Sequence, residues 1–413
     1  MNRFPRLILA VLAMLGLALP AAAPAADEAR DESKPLHHTN AFVCKRCHLE
    51  IFRSWEKSMH ANSSALKNPL HGAFYQATVG DPTQEGVLAK ETGKYPECLN
   101  CHAPSAALDK KTKLDAVSAY AEGVNCVACH MLKNYRGTKA ADGQPQRGIA
   151  AYEVSANALM APSGISYAPV KPTEAQKGNP AVKPYHPYLR EGNAAMRTND
   201  ACMGCHEERS NPKGAPLCVT GEEVRASGSS ATCQSCHMPK VDGITDHSMA
   251  GGHSADMVRR GVVMQMNGKV EGERIKARLT LTNKLPHAFP TGAPFRHMVV
   301  NVRAYDKDGQ LLWENFKANP AAEDPQSAFH YVLGNEKDQI AQPPAATKVL
   351  ANTRLKPNET RELNYDIPAA NVAVVRAEAL YNVLAPPLIA QMGDKLPKEM
   401  TANKVAATAE FWR

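Results

Sequence analysis

The sequence predicts two architectures in series: a mixed α and irregular domain over residues 26–256, then an all-β, sandwich-like domain over 257–384, with a tail at 385–413. Three observations carry this division. Every Cys-x-x-Cys pair falls before residue 240. The chain between those pairs is broken by Pro, Gly and Asn clusters such as "APSGISYAPVKPTEAQKGNPAVKPYHP" (161–187), which leave room for short helices only. From about Met257 the texture changes to an alternation of period two.

The five pairs are Cys44 and Cys47, Cys98 and Cys101, Cys126 and Cys129, Cys202 and Cys205, and Cys233 and Cys236. Each is followed at once by a histidine: His48, His102, His130, His206 and His237. With 15 histidines in 413 residues, roughly one in 27, five coincidences have odds on the order of one in ten million. A c-type haem asks for this spacing. Two thioethers anchor the macrocycle, and the next residue projects its imidazole onto the iron from one face. Zinc half-sites would pair two by two and leave one over, with no use for the uniform histidine. The reading is five covalent haems c. Such a domain builds its core on the cofactors, since aromatic residues are only 6% of the chain and the porphyrins supply the large apolar faces. The close spacing of His102 with His130, and of His206 with His237, predicts neighbouring haems within each pair. Cys218, the eleventh cysteine, is expected to be a buried apolar thiol.

The β-domain follows from "RIKARLTLTNK", where Ile275, Ala277, Leu279 and Leu281 alternate with polar partners. "HMVVNVRAYDKDGQLLWENF" continues it with a hairpin signal at Asp308-Gly309, and "TRELNYDIP" and "VVRAEALYNVL" add more, about seven strands in all. The tail keeps apolar residues among its charges and is expected to wrap back over one of the domains.

At the N-terminus, Arg3 and Arg6 precede an apolar run from Leu7 to Leu19 and then small residues, with Ala23-Pro24-Ala25 as the cleavage signal. Residues 1–25 therefore read as an export signal, too short for a comfortable membrane span. The expected location is periplasmic or extracellular, with no transmembrane segment in the mature chain. Removing the signal takes the formal charge from +7 to about +5, and each ferric haem with ionised propionates takes away about one more. The basic excess is no sign of nucleic-acid binding.

Five irons need sixth ligands or open positions, and ten histidines lie outside the motifs. His60 follows "CHLEIFRSWEKSM" on an expected helix, with Trp55 beside it to pack on a porphyrin. His247 and His253 flank a Gly-Gly turn that lets backbone approach a macrocycle. His186 stands between Pro184 and Pro187, and His287 between Pro286 and Pro290, on rigid loops that can aim a ring. These five are the expected distal ligands. His71, and His37 or His38, are weaker candidates, and His297 and His330 are expected on the β-domain surface. Met131 and Met238 directly follow motif histidines and cannot reach the opposite face of their own haems.

These residues resemble the cytochrome c-554-type multihaem family. The resemblance rests on Cys44 to His48 followed by Trp55, Ser58 and His60, on "CQSCHMP" with Asp246-His247 after it, and on "LTNKLPHAFPTGAPFRH". It implies that His60 and His247 are distal ligands. It also implies electron carriage between redox partners, either proteins or a quinol-linked membrane cytochrome. A fifth motif and the β module extend beyond the four-haem type member. The alternative is an oxidoreductase acting on a small nitrogen or sulfur compound at one open-coordinated haem.

Overall fold

Short helices, three of them capped by polar side chains, carry the cysteine motifs. The computed structural model describes residues 33–168, 173, 186 and 188–413. The expected export signal, and Pro184 and Pro187 beside His186, lie outside the described residues. Among the motif helices are Leu99–His102, Cys126–His130, Asp200–His206 and Cys233–His237. The first motif straddles the end of Ala41–Lys45. Asn40, Asn125 and Thr232 each precede a helix and accept a backbone N–H three residues on, which satisfies a donor the helix start would leave open. Asn125 is buried and also donates to Glu122 and to the Thr39 carbonyl, so this cap ties three segments together.

Among the described residues no single side-chain core unites this part. Its apolar residues gather in small clusters, one around Leu99, Leu114 and Tyr120, one around Leu36, Val127 and Met131, one around Phe52 and Trp55. The helix Leu49–Glu56 ends before His60, so Trp55 and His60 do not share a helical face as the sequence suggested. Trp55 instead packs beside Phe52 and donates its indole N–H to Val124.

The β-rich part contains β1 (Val262–Glu271), β2 (Arg274–Asn283), β3 (His297–Tyr305), β4 (Leu311–Glu314), β5 (Ala328–Phe329), β6 (Tyr331–Gly334), β7 (Lys348–Asn352), β8 (Thr360–Pro368), β9 (Val374–Asn382) and β10 (Lys404–Trp412). One antiparallel sheet runs β8-β2-β1, and a second runs β4-β3-β9-β10 with β5 paired to β3. Ile275, Ala277, Leu279 and Leu281 of β2 all point inward, as the alternation requires. They meet Met298, Val300 and Val302 of β3 and Val375, Ala377 and Ala379 of β9 in one core. Full burial stabilises each such Ile or Leu side chain by roughly 1.5–3 kcal/mol. The Asp308-Gly309 turn joins β3 to β4, with Gly309 at positive φ.

The expected tail differs in the structure. Residues 404–412 form β10, paired along β9 with Ala377 opposite Ala409. The strand was hard to read because its inward positions carry Ala406 and the alkyl stem of Lys404, small or charged residues that give little hydropathic contrast. Helix Pro386–Met392 buries Leu388 and Met392 against the same core.

The two parts are fastened together by polar contacts. Arg354, 6% exposed, pairs with Glu223 at 2.9 Å, and Glu223 also accepts from the Ala288 N–H and the Thr291 hydroxyl. Asn211 donates to the carbonyls of Pro343 and Ala346.

Candidate haem-binding cavity and its paired histidines

A continuous cavity of about 2890 Å³ runs through the molecule, lined by all ten motif cysteines and all five motif histidines. Ordinary small-ligand pockets hold roughly 300–1,000 Å³. This one suits several large apolar cofactors.

Across the cavity, motif histidines face other histidines. His48 faces His186 with ring centroids 6.4 Å apart, His206 faces His60 at 6.1 Å, and His237 faces His287 at 6.4 Å. A histidine nitrogen binds a transition metal at about 2 Å with its ring centre about 1 Å further back, so two imidazoles across one ion stand about 6 Å apart. These three pairs have that spacing. His102 stacks on His71 at 4.0 Å, so these rings need to open by about 2 Å to share an ion. Burial disfavours protonation of His130 and His48, and His247 lies close enough to both to add to it.

The outer ring nitrogens are held by backbone. Nδ1 of His71 and of His102 both meet the Ser63 carbonyl, at 2.8 and 3.1 Å. His130 reaches Met160, His186 reaches Tyr188, His237 reaches Ala250, His247 reaches Thr245 and His287 reaches Ala288. An N–H given to a carbonyl fixes the tautomer that leaves Nε2 as the free electron pair, as metal-bound histidines require. His71 Nε2 is buried with no protein partner. The residues therefore fit covalent haem on three counts: thiol pairs on the wall, imidazoles opposed across the cavity, and Nε2 atoms left for iron.

Burial also keeps these rings neutral. It pushes His60, His71 and His206 down to about 4, and His102 well below its ordinary value. A histidine depressed in the fold takes its proton more readily in the unfolded chain. For His253 and His297, which burial holds down to about 4 and which the haems do not use, stability should therefore be full above about pH 6.5 and drain away as pH falls toward 4. Guanidinium midpoints measured across that range check the direction; a midpoint that rises on acidification contradicts it.

Of the expected distal ligands, His60, His186 and His287 make ring contacts with motif histidines, while His247 and His253 line the cavity without one. His253 makes no ring contact with a motif histidine among the described residues. It lies near Arg296 and Lys404, where burial holds it down to about 4. His71 occupies the place opposite His102. The helix Pro69–Thr78, capped by Asn68, aims His71 inward beside the buried Leu70 and Tyr75. A histidine on the apolar face of a helix just downstream of His60 was the signal that could have found it. His37 and His38 face Asp109 instead of the cavity. His297 and His330 are partly buried, not surface residues, because each lies in or beside strands packed on the core.

Thiol contacts show which motifs are neighbours. Cys44 lies beside Cys126, Cys101 beside Cys205, and Cys202 beside Cys233. Cys129 also lies near Cys202 and Cys205. The fourth and fifth motifs adjoin as their spacing suggested. The second and third do not share a thiol contact; the fold places the third against the first and the second against the fourth. Two glycines permit the second contact: a Cβ on Gly204 would meet the Tyr152 ring at 2.2 Å, and one on Gly148 the Asn100 carbonyl at 2.3 Å. Cys218 is half-buried on the cavity wall with its Sγ 3.6 Å from the Thr220 hydroxyl, less enclosed than expected because its short strand, Pro216–Cys218, edges the cavity.

The family model described as "Cytochrome c554 and c-prime" matches residues 43–131. The chain is also similar to the crystal structure of a penta-heme cytochrome c552 from Thermochromatium tepidum. Identity is 47% with a TM-score of 0.84, over 92% of this chain and 100% of that one. No curated protein matches the chain.

Proposed function

The chain belongs to the multihaem c-type cytochromes, and from that premise we propose an exported electron-transfer protein with five covalent haems, each iron held between two histidines. The observation that carries this reading is the opposition of histidines across the cavity: His48 with His186, His102 with His71, His206 with His60, His237 with His287, and, by elimination, His130 with His247. When bound, the haems supply reversible one-electron chemistry. Two imidazoles per iron leave no position for a substrate, which favours carriage over catalysis.

The protein's own residues set the rest. The backbone carbonyls on Nδ1 of His71, His102, His130, His186, His237, His247 and His287 strengthen these imidazoles as donors and so favour the ferric state. The first motif lies against the third, and the second, third and fifth lie against the fourth, so the fourth motif sits at a branch.

We divide the chain at 256/257, with the β part acting on the cytochrome part through His287, and read its two sheets around one core as a sandwich. The N-terminal Arg3, Arg6 and apolar run support export to the periplasm or beyond. Among the described residues no helix is long and apolar enough to cross a membrane. The partners proposed are redox proteins or a quinol-linked membrane cytochrome.

Coulometric titration tests the function. The expected result is five electrons taken up and returned per chain, with the reduced protein unaffected by added nitrite or hydroxylamine. Rapid reoxidation by either compound would favour the enzymatic alternative.

A further inference from the structure

Among the histidines left once the haem ligands are assigned, two are adjacent and converge on one carboxylate. His37 and His38 lie in the 3-10 turn Leu36–His38, whose Leu36 is buried against Val127, Met131 and Tyr188. Asp109 closes the helix Pro104–Leu108. His37 Nε2 stands 2.8 Å from one carboxylate oxygen and His38 Nε2 stands 2.5 Å from the other. The two rings are nearly perpendicular, at 86°, so their nitrogens approach from different directions. The buried Tyr120 donates to the same carboxylate, and its hydroxyl is 3.3 Å from His38 Nε2. None of these four residues lines the haem cavity.

We propose that His37, His38 and Asp109 form a binding site for a divalent transition cation of the zinc class, with the Tyr120 oxygen and solvent completing the coordination. Two imidazole nitrogens and one carboxylate oxygen select zinc, copper or nickel over calcium and magnesium, which ask for oxygen ligands throughout. The side chains of His37, His38 and Asp109 are 15%, 21% and 25% exposed, enough for an ion to enter from solvent and keep water as a ligand. The supports are fixed: Leu36 anchors the turn in one apolar cluster, and Tyr120 belongs to another. Loading requires the Nε2 atoms to give up their hydrogen bonds to Asp109 and the three groups to spread by about 0.5 Å. Bound, the ion would staple the segment ahead of the first cysteine motif to the helix behind the second.

The competing account is a cluster held by hydrogen bonds alone. The test uses haem-loaded, tag-free protein stripped with a chelator, equilibrated with zinc and desalted, with zinc counted against haem iron. The expected result is one zinc retained per chain in the wild type and none in His38→Gln or Asp109→Asn. Titration calorimetry should show at least a tenfold weaker zinc affinity in either variant. An unchanged haem spectrum in each variant confirms that the fold persists, and Tyr120→Phe should retain the ion more weakly. Absence of retained zinc in the wild type, or equal retention in wild type and in folded variants, overturns the site.

Discussion

His71→Ala should convert one haem in five from low to high spin. His71 stacks on His102, its Nδ1 is pinned to the Ser63 carbonyl, and its Nε2 has no protein partner. Removing the ring leaves the iron at the second motif with one protein ligand, and water is too weak a donor to keep it low-spin. The companion variant separates this account from the sequence reading. His253→Ala should leave all five haems low-spin, since His253 is placed beside Arg296 and Lys404 and not opposite a motif histidine. Ferric electron paramagnetic resonance distinguishes the two. A high-spin signal from His253→Ala with none from His71→Ala would restore the original assignment.

Gly148→Ala should block assembly of the second and fourth haem sites. Gly148 has a φ of 61°, and a Cβ there would meet Asn100 backbone and side-chain atoms at 2.3–2.8 Å. Gly204 of the fourth motif meets the Gly148 carbonyl and the Tyr152 ring from the other side, and the Tyr152 hydroxyl accepts the Gly204 N–H. The left-handed backbone alone costs a non-glycine residue roughly 1–2 kcal/mol. Displacing backbone inside a motif costs more, so the total should exceed about 3 kcal/mol. Intact mass is expected to show chains short of five haem additions, with lost thermal stability in the fraction that matures. Full loading at wild-type stability would show that the two motifs do not need this close approach.

How much of this was legible in the sequence depends on how local the chemistry is. Each cysteine pair and its following histidine lie within five consecutive residues, so the motifs could be read outright. The alternation in β2 was equally plain, because a strand buried on one face writes its period into the chain. Distal ligation is a matter of tertiary placement. His186 meets His48 from 138 positions away, and His287 meets His237 only because the loop between β2 and β3 folds back over the cavity. Proline-bracketed and glycine-flanked histidines drew attention to His186, His247, His253 and His287, of which His186 and His287 face motif histidines in the fold. His71, on the helix that Asn68 caps, is neither bracketed by prolines nor beside a Gly-Gly turn. The order of neighbouring motifs was least legible, since sequence distance put the second beside the third while glycine contacts put it beside the fourth.

The central claim is that every iron in this chain is held by two histidines. Near-infrared magnetic circular dichroism of the fully ferric wild-type protein tests it most directly, because it reports spin state and ligand type together. The account predicts five low-spin centres, all with bis-histidine ligation, and no change on adding cyanide, nitrite or hydroxylamine. A high-spin ferric component that binds any of these would contradict it.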